Sequence, residues 1–254
     1  MFLTAGVGIL PAGGDIMKTV SGVVFDLDGT LFDREKTLAA AMRAAFSEIC
    51  AGDMAQVRRI AALAGLDVDA GRLGPDSVLR DGTTSQLAEA LLVELPTMTA
   101  HALARRLGEA SRAAAPVEAT PLVPLMSELA GRGLALAVAT NDTPEEACRL
   151  LREAGVFDAF AAILAAGAGY APKPAPDMLR AFLDISGIPA AACVMVGDSP
   201  ADLKAGRAAG MTCVGVLTGA SRRHELVDHA DAILPGIDTL PAWLDRQHGI
   251  ATAA

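Results

Sequence analysis

Cysteines and aromatic side chains are scarce in this sequence of 254 residues, and positive charges are outnumbered. The four cysteines are far apart and form no CxxC or Cys/His cluster, which indicates reduced structural thiols and argues against disulfides and a zinc site. Lysine and arginine number 21 against 30 aspartates and glutamates, so the formal charge is −9 and no basic block is available for nucleic acid. No apolar run reaches the ~18 residues of a membrane-spanning helix. We therefore expect a cytoplasmic protein with no nucleic-acid or membrane partner.

The N-terminal segment lacks the main feature of a secretory signal. Residues 1–18 are apolar and glycine-rich, but no lysine or arginine precedes Lys18, so the positively charged region of a signal peptide is missing. We predict a flexible N-terminal extension over residues 1–18, with a weak signal peptide as the alternative.

Short β-branched and apolar runs recur along the chain, and most of them end in polar residues or glycine. Five are typical of strands buried on both faces of a sheet, at 20–25, 134–139, 193–196, 211–217 and 232–234. A sixth run, at 160–164, is rich in alanine and is compatible with either a strand or a helix.

Helix signals separate these runs. Thr143 stands at an N-cap position before a proline, with Glu146 at the capping-box position, and Gly155 marks the end of that helix. Ser199 and Gly210 mark the start and the end of another. Strands that alternate with helices predict an α/β fold with a doubly wound parallel sheet.

One connection is far longer than a single helix, because about a hundred residues separate the first two strand runs. Apolar residues at three- and four-residue spacing predict helices over 35–49, 54–64, 85–95 and 99–115. Residues 33–116 contain no convincing strand. We therefore predict a smaller all-helical domain at 33–116, inserted into a core domain made of 19–32 and 117–254.

Polar side chains follow several of the predicted strands. Asp26 and Asp28 follow the first strand, Thr140 and Asn141 the second, and Asp198 the strand that ends at residue 196. The carboxyl ends of parallel strands meet at one edge of a sheet, so we expect these residues to share a site. Bare carboxylates at such distances would repel one another. A divalent cation with oxygen ligands is implied, and Mg²⁺ suits this donor set.

Four short motifs follow one another along the chain: DLDGT at 26–30, the strand-terminal Thr140, Lys173 in PKPAPD at 172–177, and GDSPAD at 197–202. Their residues, order and separation resemble the motifs of the haloacid dehalogenase superfamily. The resemblance is greatest to its phosphoglycolate-phosphatase-like branch, in which a helical cap is inserted after the first motif. It extends from about residue 20 to residue 232 and implies a Rossmann-like core. Residues 33–116 contain no matching motif, so the resemblance specifies the reaction better than the substrate.

The resemblance also implies roles for individual residues. Asp26 would be a nucleophile that forms an aspartyl-phosphate, and Asp28 the general acid and base. Thr140 and Lys173 would offset the charge of the transferred phosphoryl group. The implied phosphate-binding residues are Gly29, Thr30, Thr140, Asn141 and Lys173. The implied ligands of Mg²⁺ are Asp26, the Asp28 carbonyl, Asp198 and Asp202, the last either directly or as support.

Each of these assignments also has a purely structural interpretation: Asp26 and Asp28 could cap a turn after the strand, and Thr140 could simply lead into the next helix. Asp202 stands three residues after Ser199, where a capping-box acid belongs. Asn141 fits a turn residue as well as a neighbour of phosphate. Lys173 among prolines, taken alone, fits a solvated loop lysine, and only its place in a motif favours the site.

The implied function is a phosphatase that acts on a small phosphorylated metabolite, with phosphoglycolate as the first candidate. A β-phosphoglucomutase-like sugar-phosphate mutase is the main alternative. A phosphorylatable receiver-type signalling domain is a weaker one, because it needs neither the insertion nor an acid for a leaving alcohol. Dehalogenation is disfavoured, because Asp28 is the acid that dehalogenases lack. The choice between a monomer and a homodimer stays open.

Overall fold

The computed structural model describes residues 2–3, 20–74, 76–81 and 83–247 of the chain. The chain divides into two compact units. We call Met1–Phe32 with Glu118–Ala254 the core unit, and Asp33–Val117 the inserted unit. Of the predicted flexible extension at 1–18, only Phe2 and Leu3 belong to the described residues, and they form a short strand. The rest of that prediction lies outside the described residues.

Nine strands and eleven α-helices are found among the described residues. The strands are β1 (Phe2–Leu3), β2 (Gly22–Phe25), β3 (Leu66–Asp67), β4 (Arg72–Leu73), β5 (Ala135–Thr140), β6 (Ala162–Ala165), β7 (Cys193–Gly197), β8 (Thr212–Val216) and β9 (Ala232–Leu234). The helices are α1 (Arg34–Ile49), α2 (Met54–Leu63), α3 (Val78–Asp81), α4 (Thr84–Leu91), α5 (Ala100–Arg112), α6 (Leu122–Gly131), α7 (Pro144–Glu153), α8 (Asp177–Ser186), α9 (Pro200–Ala209), α10 (Arg223–Leu226) and α11 (Leu240–Gln247). None of these helices combines the length and the apolarity needed to cross a bilayer.

The core unit is built on one sheet, in the strand order β1-β6-β5-β2-β7-β8-β9. Strand β1 pairs antiparallel with β6 at one edge, and the other six strands are all parallel. The alanine-rich run at 160–164, compatible with strand or helix, forms strand β6. From β2 the chain adds β5 and β6 on one side and then β7, β8 and β9 on the other. The predicted doubly wound α/β fold is confirmed.

Helices cover both faces of this sheet. In β2, Val23 and Phe25 belong to one apolar cluster and Val24 to another. Helices α6, α7 and α11 contribute to the first cluster, and α8 and α9 to the second. A strand that is buried on both faces needs apolar residues at consecutive positions, which explains the continuous apolar runs in the sequence.

The helix starts nearest the site follow the sequence signals, with one difference. Ser199 caps α9 through a reciprocal capping box with Asp202. Thr143 caps α7 by accepting the backbone N–H of Glu146. The carboxylate of Glu146, however, pairs with Arg149. The predicted capping box at α7 is therefore replaced by an ion pair within the helix.

The inserted unit packs α1, α2, α4 and α5 around an apolar core of its own. It differs from the all-helical prediction, because β3 and β4 form a short antiparallel ribbon. Asp67 stabilises the turn of this ribbon by accepting two backbone N–H groups. Two residues per strand are too few to produce an alternating pattern. The helix predicted over 85–95 ends at Leu91, ahead of Pro96, which has no N–H to continue it.

Gly206 lies where α9 packs closely against strands β7 and β8. A Cβ at Gly206 would lie 2.8 Å from Met195 Cβ and 2.9 Å from Cys213 Sγ. We expect Gly206→Ala to lower the free energy of unfolding by about 1–3 kcal/mol through overpacking. In the matched control Gly131→Ala, no atom lies within 4 Å of the added Cβ, so a gain of up to ~1 kcal/mol is expected. Urea unfolding of both variants measures the difference, and equal midpoints would contradict the packing argument.

Candidate active site

The register of three strands brings their carboxyl ends to one edge of the sheet. Phe25 at the end of β2 is level with Val138 of β5 and Val196 of β7. Asp26 extends the ladder by donating its N–H to the Val196 carbonyl at 2.9 Å. A cavity of about 160 Å³ opens at this edge, a size that suits a small ion or a phosphoryl group. Its lining residues are Asp26, Asp28, Thr140, Asn141, Asp142, Lys173, Asp198, Ser199, Ala201 and Asp202.

Lys173 is the buried cation of this cavity. Its Nζ lies 2.5 Å from Asp26 Oδ1 and 2.7 Å from Asp202 Oδ1. The third acceptor is the Ala139 carbonyl, at 2.6 Å, so all three N–H groups of the ammonium are used. Burial alone would lower the pKa of Lys173, but attraction to Asp26 and Asp202 outweighs it and raises that pKa above its ordinary value. A solvated loop lysine is excluded.

Asn141 holds the backbone of Lys173. Its Oδ1 accepts the Lys173 N–H at 2.7 Å, and its Nδ2 donates to the Lys173 carbonyl at 3.1 Å. These two bonds join the loop after β5 to the loop that carries the buried ammonium. Asn141 lines the cavity, but its oxygen and one amide hydrogen serve Lys173. It therefore positions Lys173, in addition to any contact with the predicted phosphate.

Asp202 takes part both in the helix cap at Ser199 and in the site, through Lys173. Its Oδ2 accepts the Ser199 N–H at 3.0 Å and the Ser199 hydroxyl at 2.6 Å, while its Oδ1 faces Lys173. Glycine is needed at position 197, because a Cβ there would lie 2.6 Å from Asp202 Cγ. Both oxygens of Asp202 are thus engaged, and its role toward a metal, either direct or as support, stays a prediction.

Burial raises the pKa values of the Asp26 and Asp198 carboxyl groups. The pKa of Asp26 rises to about 8, although the Lys173 ammonium opposes this effect. Burial and then repulsion from Asp202 raise the pKa of Asp198 to about 6. One oxygen each of Asp26, Asp198 and Asp202 lies within 4.8 Å of the others. Three carboxylates against one ammonium leave an excess of negative charge, so this oxygen donor set fits a divalent cation.

The Thr140 hydroxyl faces Asp142. It donates to Asp142 Oδ2 at 2.9 Å and accepts the Asp142 N–H at 3.1 Å. A hydroxyl has one proton, so it must turn away from Asp142 to donate to a phosphate oxygen. Asp142, which no motif selected, lines the cavity and therefore belongs to the site.

The turn after β2 presents Asp28 to the cavity and keeps the next two residues behind it. Gly29 adopts φ +87° and donates its N–H to the Phe32 carbonyl at 2.7 Å. Thr30 is fully buried, and its hydroxyl lies 3.4 Å from Asp26 Oδ2. Neither Gly29 nor Thr30 is among the residues that line the cavity. Their predicted phosphate contacts stay predictions, and the contacts that the structure gives them are within the turn and with Asp26.

The segment after β8 also belongs to the site, although no motif pointed to it. The Ala220 N–H donates to Asp198 Oδ2 at 3.1 Å, and the Thr218 hydroxyl donates to the Gly29 carbonyl at 2.7 Å. A signal was available, because the rule that polar residues beyond parallel strands converge applies to β8 as well.

Known proteins with similar sequences and structures identify the family of this chain. The chain is 33% identical over 226 residues to a phosphoglycolate phosphatase of Rhodospirillum rubrum, covering 87% of this chain and 90% of that protein. It is 31% identical over 199 residues to the fructose-1-phosphate phosphatase YqaB of Escherichia coli, covering 77% and 96%. The solved structure of CbbY from Rhodobacter sphaeroides in complex with phosphate has a TM-score of 0.54 at 24% identity, covering 89% and 100%. A family model of haloacid dehalogenase-like hydrolases matches residues 20–210. The chain therefore belongs to the haloacid dehalogenase-like hydrolase family.

Proposed function

We propose that this hydrolase is a Mg²⁺-dependent phosphatase that cleaves a small-molecule phosphomonoester through an aspartyl-phosphate on Asp26. The observation that carries the proposal is the contact of the buried Asp26 carboxylate with Lys173, in a cavity shared with Asp198. The Lys173 ammonium and a bound cation favour the ionised form of Asp26, and in that form the carboxylate needs no base to act as a nucleophile. Further support comes from the relatives named as phosphoglycolate and fructose-1-phosphate phosphatases.

The metal would be held by the carboxylates of Asp26 and Asp198 and by the backbone carbonyl of Asp28, with Asp202 in support. When bound, the ion offsets the negative charge of these carboxylates and of the substrate phosphate. Lys173 contributes a second positive charge, which is present whether or not a metal ion is bound. Its ammonium is fixed in advance by three acceptors, so little reorganisation is needed when charge develops on the phosphoryl oxygens.

The proposed reaction has two steps at Asp26. First, an Asp26 oxygen bonds to phosphorus, the bond from phosphorus to the alcohol oxygen breaks, and Asp28 gives its proton to the leaving alkoxide. Second, Asp28 takes a proton from water, whose oxygen attacks phosphorus, and inorganic phosphate leaves with the Asp26 carboxylate restored. The Thr140 hydroxyl, turned away from Asp142, holds a phosphoryl oxygen in both steps. The Lys173 ammonium, from its place among three acceptors, offsets the negative charge of the phosphoryl group.

The proposed substrate is a small phosphorylated metabolite, with phosphoglycolate as the first candidate. A sugar-phosphate mutase would use the same two acids, Asp26 and Asp28, but would return the phosphoryl group to a sugar. A receiver domain would keep its acyl phosphate. Phosphate release over many turnovers across a panel of phosphorylated metabolites, with and without a chelator, therefore separates these functions.

Asp26→Asn tests the covalent mechanism. Because the amide is a poor nucleophile, we expect phosphate release to fall by roughly three orders of magnitude or more, with folding retained. Acid-quenched wild-type protein should carry phosphate on the peptide that contains Asp26, as measured by mass spectrometry. The matched control is Asp184→Asn on the exposed face of α8, which should keep full activity. Wild-type turnover in Asp26→Asn would exclude the aspartyl-phosphate.

Asp28→Asn separates acid catalysis from binding. An alkoxide needs a proton in order to leave, whereas nitrophenolate is a weak base and needs none. We expect kcat to fall about 10²–10⁴-fold for an alkyl phosphate and much less for p-nitrophenyl phosphate. Steady-state kinetics on both substrates measure the two losses. Equal losses would indicate that Asp28 is not the acid.

Asp198→Asn tests the electrostatic cost of the site in the metal-free protein. The folded-state pKa of Asp198, about 6, lies above its ordinary value of 3.8, so its contribution to stability is present below pH 3.8 and is lost as pH rises through 6. The amide cannot ionise but can still accept the Ala220 N–H. We expect the variant to gain up to about 3 kcal/mol over wild type between pH 4 and 7.

Urea unfolding across this pH range, with a chelator present, measures the gain. Asp184→Asn should follow the wild-type curve, because Asp184 is exposed. Parallel curves for Asp198→Asn and wild type would show that Asp198 carries no such cost. Added Mg²⁺ should stabilise wild type at pH 7 and leave Asp198→Asn unchanged.

A further inference from the structure

We propose that the segment 218–220, which follows β8, is a positioning element that orients the Asp198 carboxylate and the turn carrying Asp28 for the binding of Mg²⁺. The inference rests on the proposed Mg²⁺ site. No sequence motif selects this segment, and none of its residues lines the cavity. It acts only through the two groups that it holds.

The first argument is steric. The Asp198 carboxyl group lies between two glycines that approach it closely from the loops after β2 and β8. A Cβ at Gly219 would lie 2.5 Å from Asp198 Cβ and would overlap Asp198 Oδ2. A Cβ at Gly29 would lie 2.6 Å from Asp198 Cγ and 2.9 Å from Gly219 Cα. A side chain at either position would therefore displace the carboxylate from its present place.

The second argument is hydrogen bonding. The Ala220 N–H donates to Asp198 Oδ2 at 3.1 Å, which fixes the rotation of that carboxylate. The Thr218 hydroxyl donates to the Gly29 carbonyl at 2.7 Å, a bond that joins residues 189 positions apart. This bond fixes the peptide between Gly29 and Thr30, the next one after the peptide that contains the Asp28 carbonyl. Two residues of one segment thus hold one proposed metal ligand, the Asp198 carboxylate, and the turn that carries another, the Asp28 carbonyl.

The position of the segment explains why it can do this. Strand β8 lies next to β7, and Gly197 of β7 is level with Gly215 of β8. The residues just beyond β8 therefore pass beside Asp198, which follows β7 directly. Groups that orient metal ligands through hydrogen bonds typically contribute about 10- to 100-fold to metal affinity. A segment that merely packed against the sheet would contribute to stability alone.

Thr218→Val tests the inference, because valine keeps the shape of threonine and removes the hydroxyl. We expect the dissociation constant of Mg²⁺ for the substrate-free protein, measured by isothermal titration calorimetry, to rise about 10-fold. Thr218→Ser restores the hydroxyl and should return the constant to near the wild-type value. Gly219→Ala should weaken binding by about 100-fold or more, because it displaces the carboxylate directly.

The matched control is Thr239→Val. The Thr239 hydroxyl also donates to a glycine carbonyl, that of Gly236, at 2.8 Å. Gly236 lies close to the Thr218 methyl group, so the bond that Thr239→Val removes is in the loop next to Thr218. The control therefore weakens the same region without removing the Thr218 hydroxyl. The midpoint temperature of thermal unfolding, measured without metal, should fall by similar amounts in Thr218→Val and Thr239→Val. Only Thr218→Val should lose Mg²⁺ affinity.

The outcomes separate this inference from the proposed function. Failure of wild type to bind Mg²⁺, or undiminished binding by Asp198→Asn, would overturn the proposed metal site and the inference with it. Binding in wild type with an equal constant in Thr218→Val would overturn the inference alone, as would an equal loss in Thr239→Val. If Gly219→Ala does not fold, the comparison of Thr218→Val with Thr218→Ser still decides.

Discussion

Three carboxyl groups and a single ammonium share one small buried volume, and this crowding of charge is the constraint on which the site depends. Oxygens of Asp26, Asp198 and Asp202 lie within 4.8 Å of one another, and the ammonium of Lys173 opposes their charge. Burial of like charges is unfavourable without compensation, and the raised pKa values of Asp26 and Asp198 express that cost. A cation that binds the ionised site relieves it, so metal affinity and folding stability become two measures of one interaction.

Glycines next to the carboxylates make this close approach possible. A Cβ at Gly197 would collide with Asp202, and a Cβ at Gly29 or Gly219 would collide with Asp198. Each glycine stands at or just beyond the end of a parallel strand, where the backbones are held at the spacing of the sheet. The carboxylates can therefore approach one another without any strand moving apart. The geometry of the site therefore depends on these three glycines as well as on the three aspartates.

The core fold was readable from local patterns. All six apolar runs correspond to parallel strands, with ends within two residues of those predicted, because strands buried on both faces must be apolar throughout. The helix starts at Thr143 and Ser199 were also readable, because the cap hydroxyl and the backbone N–H that it accepts are only three residues apart. The ribbon of β3 and β4 and the edge strand β1 were not, because each has only two residues per strand and depends on a partner.

By itself, the sequence determined which reactive groups exist and at which strand ends they stand, because those signals lie within a few residues of one another. Only the tertiary structure decided what each group contacts. Asn141 serves a backbone 32 residues away, and Thr218 serves a carbonyl 189 residues away. Asp202 divides its two oxygens between a helix cap and Lys173. Such choices among several donors and acceptors depend on the packing of distant segments to within fractions of an ångström, which no local pattern of residues encodes.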